Sequence, residues 1–450
     1  MDFKSSLRRT GSAAAVVVAG LATVVHATGP AIAVGSSLRT ERVNVSSTGA
    51  QNDDFVHWSD LSADGRYVVF ASSASELVPG DTNASTDIFL RDRQANTTTR
   101  ISVSSTGVQS NGQSSLPQIS ADGRYVTFVS RASNLVPGPQ AQPVWNDQIY
   151  LVDVEDGTID RISETPNGRP GNGPSLSPSI SADGRYVAFT TSAPDLIPGA
   201  VDEFPRPQDV VLYDRTTQKI TLVSVATDGT PSRQSSDASL SDNGRYVAFT
   251  SLSNGLVHDD FNMVNDIFVR DLVAGTTVRA SLSDNDHEVG TRSDHGQVSD
   301  DGRYVTFWSA DRLLVRVGIG FGSGVFMRDL QTGTTRLVST SSDGVPGQSS
   351  GEHPSVTADG RHVVFDSHDA NLVAGDTNGA RDVFRKDLQT GTTTLVSRSS
   401  NGTQGDRGSI LWFGGITPNG KIVTYMSDAT NLVDGDTNGT DDVFVTELPD

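Results

Sequence analysis

The sequence has no cysteine. That excludes disulfides, thiolate metal sites, a cysteine nucleophile and a lipid-anchored N-terminal cysteine. Stability then has to come from a large core or from bound metal. Long apolar runs are missing too: past the leader, nothing approaches the roughly 20 apolar residues that a membrane helix needs. Positive charge is scarce, with 34 Lys and Arg against 54 Asp and Glu, a formal net charge of −20. So acidic a surface repels phosphate backbones and argues against nucleic acid as a partner. It favours cations and basic groups, or serves only to keep an exported chain in solution. Helical periodicity is absent throughout.

Residues 1–33 form a secretory signal by their order of features. Lys4, Arg8 and Arg9 precede an apolar run from Ala13 to Val25, and Ala31-Ile32-Ala33 offers small residues for cleavage. The apolar residues expected after a twin-arginine pair are missing, since Thr10, Gly11 and Ser12 follow, so the general export route is expected. Losing Lys4, Arg8 and Arg9 along with Asp2 takes the charge of the remainder from −20 to −22. The expected location is periplasmic or extracellular, and residues 34–450 are expected to form one domain.

What fills that domain is a repeat. The phrase Ser62-Ala63-Asp64-Gly65-Arg66-Tyr67-Val68-Val69-Phe70 recurs with its glycine at 65, 123, 184, 244, 302, 360 and 420, at intervals of 58 to 61 residues. Asp-Gly or Asn-Gly supplies the positive φ of a tight hairpin. The alternation that follows marks a strand with one buried face. Five residues after each glycine stands an aromatic (Phe70, Phe128, Phe189, Phe249, Phe307, Phe365, Tyr425), suited to a sheet-on-sheet core. Twelve residues after it stands a leucine, as at Leu77 and Leu432, expected to plug the long loop after the second strand into the core. A third strand ends on an acid in every copy, from Asp92 to Glu447, and a fourth rich in Thr, Val and Ile follows a turn. Four antiparallel strands in each of seven repeats predict an all-β, seven-bladed β-propeller.

The chain ends predict how the ring closes. The seventh repeat stops after its third strand, at Val443 to Glu447. The stretch Glu41 to Gly49 matches Thr99 to Gly107, which is a fourth strand. The N-terminal strand is therefore expected to complete the last blade and remove an exposed edge.

The Ser-x-Asp-Gly-Arg-x-Val-x-Phe phrase resembles the TolB-like (WD40-like) propeller repeat over nearly all of residues 34–450. TolB itself carries a further domain ahead of its propeller. Only about seven residues separate the expected cleavage site from the clasp strand, so that domain is not expected and a TolB-type envelope role does not follow.

Two features suggest chemistry. One is an acidic loop before the third strand: Asp81, Asn83 and Asp87; Asp260, Asn262 and Asp266; Asp376, Asn378 and Asp382; Asp436, Asn438 and Asp442. Oxygens at relative positions 1, 3 and 7 resemble the first half of a calcium loop, here without the closing bidentate acid. Self-bonded Asx turns fit the same pattern. Calcium is the expected cofactor, with blades six and seven the best candidates.

The other is a ring on the innermost strands, seven residues before each glycine: Trp58, Leu116, Ser177, Asp237, His295, His353 and Phe413. Asp237, His295 and His353 come from consecutive blades, with Asp294 and Glu352 beside them and His57 next to Trp58. Such a group binds a transition metal or works as acid and base, or it is simply a hydrated channel mouth. The resemblance implies a further possibility, because some TolB-like propellers are metal-dependent polysaccharide lyases. Trp58 and Trp412 offer a stacking platform if exposed and are core if buried. No residues remain for a hydrolase domain with a nucleophile elbow. The expectation is a monomeric, non-catalytic binding or scaffold protein. It would take a protein or carbohydrate ligand at one mouth of the channel, with Trp58, Asp237, His295, His353 and Trp412 as ligand-binding residues. The alternative is a metal-dependent lyase using Asp237, His295 and His353.

Overall fold

A computed structural model describes residues 38–139, 146–197, 207–311, 313–315, 323–412 and 414–449. The expected signal segment, residues 1–33, and Phe413 lie outside them. Seven four-stranded antiparallel sheets follow one another along the chain. Blade one is Val56–Leu61, Tyr67–Ser72, Asp87–Asp92 and Thr97–Arg100, and blades two to six repeat that order. Blade seven takes Ser409–Ile410, Ile422–Ser427 and Asp442–Glu447 from the C-terminus and Arg39–Arg42 from the N-terminus. In that blade Arg39 pairs with Glu447 and Arg42 with Phe444, so the clasp forms as expected. The one helical element among the described residues is a three-residue 3-10 turn, Pro194–Leu196, in keeping with the all-β expectation. Its Pro194 holds a φ suited to the turn, while Leu196 goes into the core.

The aromatic after each glycine is buried, and in six blades it stacks on a third-strand aromatic. Phe70–Phe89 and Tyr425–Phe444 are examples, with ring centroids 5.7 and 6.0 Å apart. The loop leucines, Leu77 to Leu432, are buried as expected.

The repeat phrase also joins blades to one another. The residue two after each glycine leaves its blade and lies against the glycine of the next: a Cβ at Gly123 would stand 2.3 Å from Tyr67 Cδ2. The arginine between them reaches the acid ending the third strand, as Arg66 Nη2 does to Asp92 Oδ2 at 2.6 Å, while its guanidinium covers the Tyr67 ring at 4.6 Å. Arg303, Asp329 and Tyr304 repeat the arrangement. Nearer the axis, backbone bonds run from blade to blade, Ala63 N to Ala121 O and Ala121 N to Ala182 O, both 3.0 Å. One short phrase thus supplies a turn, a strand, an ion pair and an inter-blade seam.

First strands run from the face carrying the long loops, here the upper face, to the Asp-Gly hairpins below. The acidic loops and the ring of candidate residues therefore share the upper face.

Candidate functional site at the channel mouth

The first strands of blades one to six are each broken by a bulge at the upper end. Pairing slips between His57 and Ser59 in blade one, Asp294 and Gln297 in blade five, and Glu352 and Ser355 in blade six. The ring residue takes the strain: Trp58, Leu116, Ser177, Asp237, His295 and His353 have φ of 48°, 52°, 50°, 52°, 58° and 46°. Left-handed backbone is rare for residues other than glycine, and a bulge re-aims a side chain. Six positions share this conformation, and five of them, Leu116, Ser177, Asp237, His295 and His353, line a central channel. Its cavity volume is about 230 Å³, and Leu116, Ser177, Asp237, His295, His353 and Trp412 border its upper part.

Asp237, His295 and His353 are brought together as the sequence suggested. The two imidazole centroids stand 5.3 Å apart, tilted by 50°. Trp412 lies next to them, its ring 6.4 Å from that of His353, and it is 43% exposed. Trp58 is half-buried and packs on the core between blades one and two, so of the two tryptophans only Trp412 offers an open face. Burial, followed by the nearby His353, holds His295 below the ordinary imidazole range. Burial raises the Asp237 carboxyl, and His295 opposes that rise.

Behind His353 stands a residue the sequence reading missed. Asp366 Oδ2, fully buried on the second strand of blade six, lies 3.0 Å from His353 Nδ1 and accepts the Leu411 backbone N–H, also at 3.0 Å. Arg381 Nη1 reaches Glu352 Oε2 at 3.1 Å and lies 3.8 Å from Asp366 Oδ1. With Nδ1 held by the carboxylate, Nε2 of His353 is the nitrogen left for a ligand. Asp366 stands where the other blades carry Ala71, Val129, Thr190, Thr250, Trp308 and Met426, so a carboxylate in that register was the available signal.

The acidic loops form a second set of clusters. Asn83, Asn262 and Asn378 each donate Nδ2 to the Asp four residues later, at 2.8, 2.8 and 2.9 Å, and accept a backbone N–H two residues on. Asn438 does the same at 3.2 Å and 3.4 Å. The paired carboxylates converge on a fourth-strand arginine in three blades. Arg100 Nη1 is 2.8 Å from Asp81 and 3.4 Å from Asp87, and Arg42 Nη1 is 3.2 Å from Asp436 and 3.1 Å from Asp442. Arg279 Nη1 is 3.5 Å from both Asp260 and Asp266 and 2.7 Å from Glu288. A guanidinium there supplies the charge that the calcium reading gave to a metal. Blade six differs. Leu395 holds the arginine register, and Gln404 Nε2 donates to Asp376 and Asp382, both at 2.8 Å.

No family model matches the chain, and no curated protein does. Solved structures do. An oligogalacturonate lyase in complex with manganese is 14% identical with a TM-score of 0.53, covering 92% of this chain and 97% of that one. The oligogalacturonate lyase of Vibrio parahaemolyticus is 12% identical with a TM-score of 0.54, covering 92% and 98%. TolB from Acinetobacter baumannii is 16% identical with a TM-score of 0.39 over 68% of this chain, which spans 58% of the TolB chain. The two lyase likenesses agree with the propeller fold that the seven four-stranded sheets define. They show fold alone, and a shared propeller fixes neither reaction nor ligand.

Proposed function

We propose that the protein is an exported binding propeller that takes a protein or carbohydrate ligand at the upper mouth of its channel. The observation that carries this reading is the ring of six strained ring positions, which turns Asp237, His295 and His353 to one opening beside the exposed Trp412. Strain of this kind is kept where a site needs it. A thermal-shift panel of neutral oligosaccharides, oligogalacturonate, basic peptides and amines tests the proposal. At least one member should stabilise the wild type and not Trp412→Ala. A panel that stabilises both proteins equally, or neither, counts against it.

One observation favours a second reading, that of a metal-dependent carbohydrate-active enzyme. Imidazoles 5.3 Å apart, one backed by a buried carboxylate, are donors of the type a transition metal takes, and Glu352, His353 and Asp366 offer ligand atoms within 4.8 Å of one another. Bound there, a divalent metal would act as a Lewis acid on a sugar carboxylate or hydroxyl. His353 would hold it through Nε2, with Asp366 fixing the ring. Metal analysis after dialysis, paired with a search for unsaturated sugar products, decides between the readings. Turnover lost in His353→Ala with an unchanged melting temperature would establish the enzyme.

Calcium on this account belongs to blade six, where no arginine stands between Asp376 and Asp382. Installing the sister residue by Leu395→Arg should abolish any calcium-dependent rise in melting temperature. A rise that persists in that variant would place the ion elsewhere.

A further inference from the structure

Blade four carries apolar side chains on its surface where its sister blades do not. Five of the ten large apolar side chains exposed among the described residues belong to it: Leu252, Phe261, Met263, Val273 and Val278. Its last three strands are Tyr246–Ser251, Asp266–Asp271 and Thr276–Arg279. The repeat allows each position to be compared with its equivalents. Val278, on the outermost strand, pairs with Val269. In the other six blades the equivalent residues are Thr99, Asp160, Thr221, Arg336, Thr394 and Glu41, all polar. Val273, in the hairpin before that strand, stands where others have Gln94, Glu155, Thr216, Gln331 and Gln389. In the acidic loop, Phe261 replaces Thr82, Thr377 and Thr437, and Met263 replaces Ala84, Gly379 and Gly439. Met263 has φ 58°, a left-handed conformation that suits the glycines and disfavours a long side chain. The turn does not require these residues, since the sister loops close without them.

These side chains form a strip up the outer edge of the blade. Val273 lies in the hairpin at the lower end and Val278 on the strand above it. Val278 adjoins Arg279, whose Nη1 is 2.7 Å from Glu288 Oε1, and the same oxygen accepts the Phe261 N–H at 2.8 Å. Asn262, between Phe261 and Met263, donates to Asp266 Oδ2 at 2.8 Å and to the Val289 carbonyl at 3.0 Å. An anchored backbone therefore presents Phe261 and Met263, which are 72% and 74% exposed. Beside the strand lies a groove between Ala226–Asp228 and Asn254–His258, with Thr277 in its wall. Apolar residues scattered over a surface are ordinary, but a strip confined to one of seven equivalent blades marks an interaction surface.

The charge around the strip selects its occupant. Asp228 and His258 line the groove, Asp259 follows His258, and Asp284 lies on the loop after the outermost strand. The three carboxylates are exposed, and none is in an ion pair among the described residues. No lysine or arginine occurs from Leu252 to Asn265 or from Ala280 to Thr291. A second copy of the chain, with its net charge of −20, would bring like charges together. We propose that the outer edge of blade four docks a partner protein through an apolar patch flanked by lysine or arginine. Apolar burial along the strip supplies affinity, and the flanking charges set the orientation. This site stands apart from the channel mouth and does not depend on the function proposed there.

The test is fluorescence anisotropy with labelled peptides that alternate lysine with leucine, lysine with serine, or glutamate with leucine. The proteins are the wild type and the triple variant Phe261→Thr/Met263→Gly/Val278→Thr. Each substitution installs a residue that sister blades hold, so the variant is expected to fold, and thermal melts check that it does. The lysine–leucine peptide is expected to bind the wild type, to protect His258 from diethylpyrocarbonate, and to bind the variant at least tenfold more weakly. The lysine–serine peptide should bind the wild type at least tenfold more weakly than the lysine–leucine peptide, and the glutamate–leucine peptide should not bind. Equal binding of the lysine–leucine peptide by both proteins, equal binding of the two lysine peptides, or no binding at all overturns the inference. Binding lost in Trp412→Ala and kept in the triple variant also overturns it, while supporting the mouth as a ligand site. A wild type that sediments as a dimer beside a monomeric variant puts a second copy on the strip and overturns the heterologous partner.

Discussion

The inter-blade role of the repeat glycine can be isolated by comparing two alanine substitutions. Gly123 has φ +76° and Gly107 φ +80°, so Ala at either meets left-handed strain worth about 1 kcal/mol. Their surroundings differ. A Cβ at Gly107 meets nothing within 4 Å, whereas at Gly123 it falls 2.3 Å from Tyr67 Cδ2 and 2.9 Å from Cε2. Tyr67 has little freedom to retreat, since Arg66 lies over its ring and the ring packs on the core between blades one and two. Overpacking of this kind costs a further 1–3 kcal/mol or so. Urea unfolding should therefore show a loss of about 1 kcal/mol for Gly107→Ala and about 2–4 kcal/mol for Gly123→Ala. Equal losses would mean that the glycine serves only its turn. A Gly123→Ala loss recovered in Tyr67→Ala/Gly123→Ala, judged against Tyr67→Ala alone, would confirm the contact by a double-mutant cycle.

Three other outcomes follow from the same structure. Burial in the channel wall raises the Asp60 carboxyl to about 7, so the folded state holds a proton that the unfolded chain has released, and stability falls as pH rises from about 4 to 7. Asp60→Asn should then raise stability at pH 8 by ~1–2 kcal/mol after allowance for channel water, and by little at pH 4; an equal effect at both would refute the assignment. Arg279→Met strands Asp260, Asp266 and Glu288 beside one another and should cost about 3–5 kcal/mol in chemical unfolding, against under about 1 kcal/mol for the exposed Arg292→Met. Asp366→Asn removes the carboxylate behind His353 and should weaken ligand binding at the mouth while shifting the His353 imidazole proton resonance; an unmoved resonance would deny the contact.

The fold was legible because its causes are local and repeated. Asp-Gly or Asn-Gly turns, period-two strands and the Phe70-type aromatics appear in every copy, and the match of Glu41–Gly49 to Thr99–Gly107 was enough to close the ring. The ring of channel residues was legible for the same reason, since counting back from each glycine lands on one structural position. The bulge that aims it was not, because left-handed φ at Trp58 or His353 leaves no mark in residue type. Asp366 was missed for a different reason: its partner His353 lies on a neighbouring strand, and a strand acid without its pairing register shows no target. The arginines of the acidic loops were in plain view. Arg100, Arg279 and Arg42 share one register, but a fourth-strand residue is connected to a loop before the third strand only once the blade is folded.

The most direct test of the ligand site is histidine footprinting with diethylpyrocarbonate, read by mass spectrometry, with and without each member of the ligand panel. His295 and His353 face the channel mouth, while His258 and His287 are exposed away from it and act as internal controls. The account predicts that a stabilising ligand protects His295 and His353 and leaves His258 and His287 as reactive as before. A stabilising ligand that protects neither channel histidine, or all four alike, would contradict it.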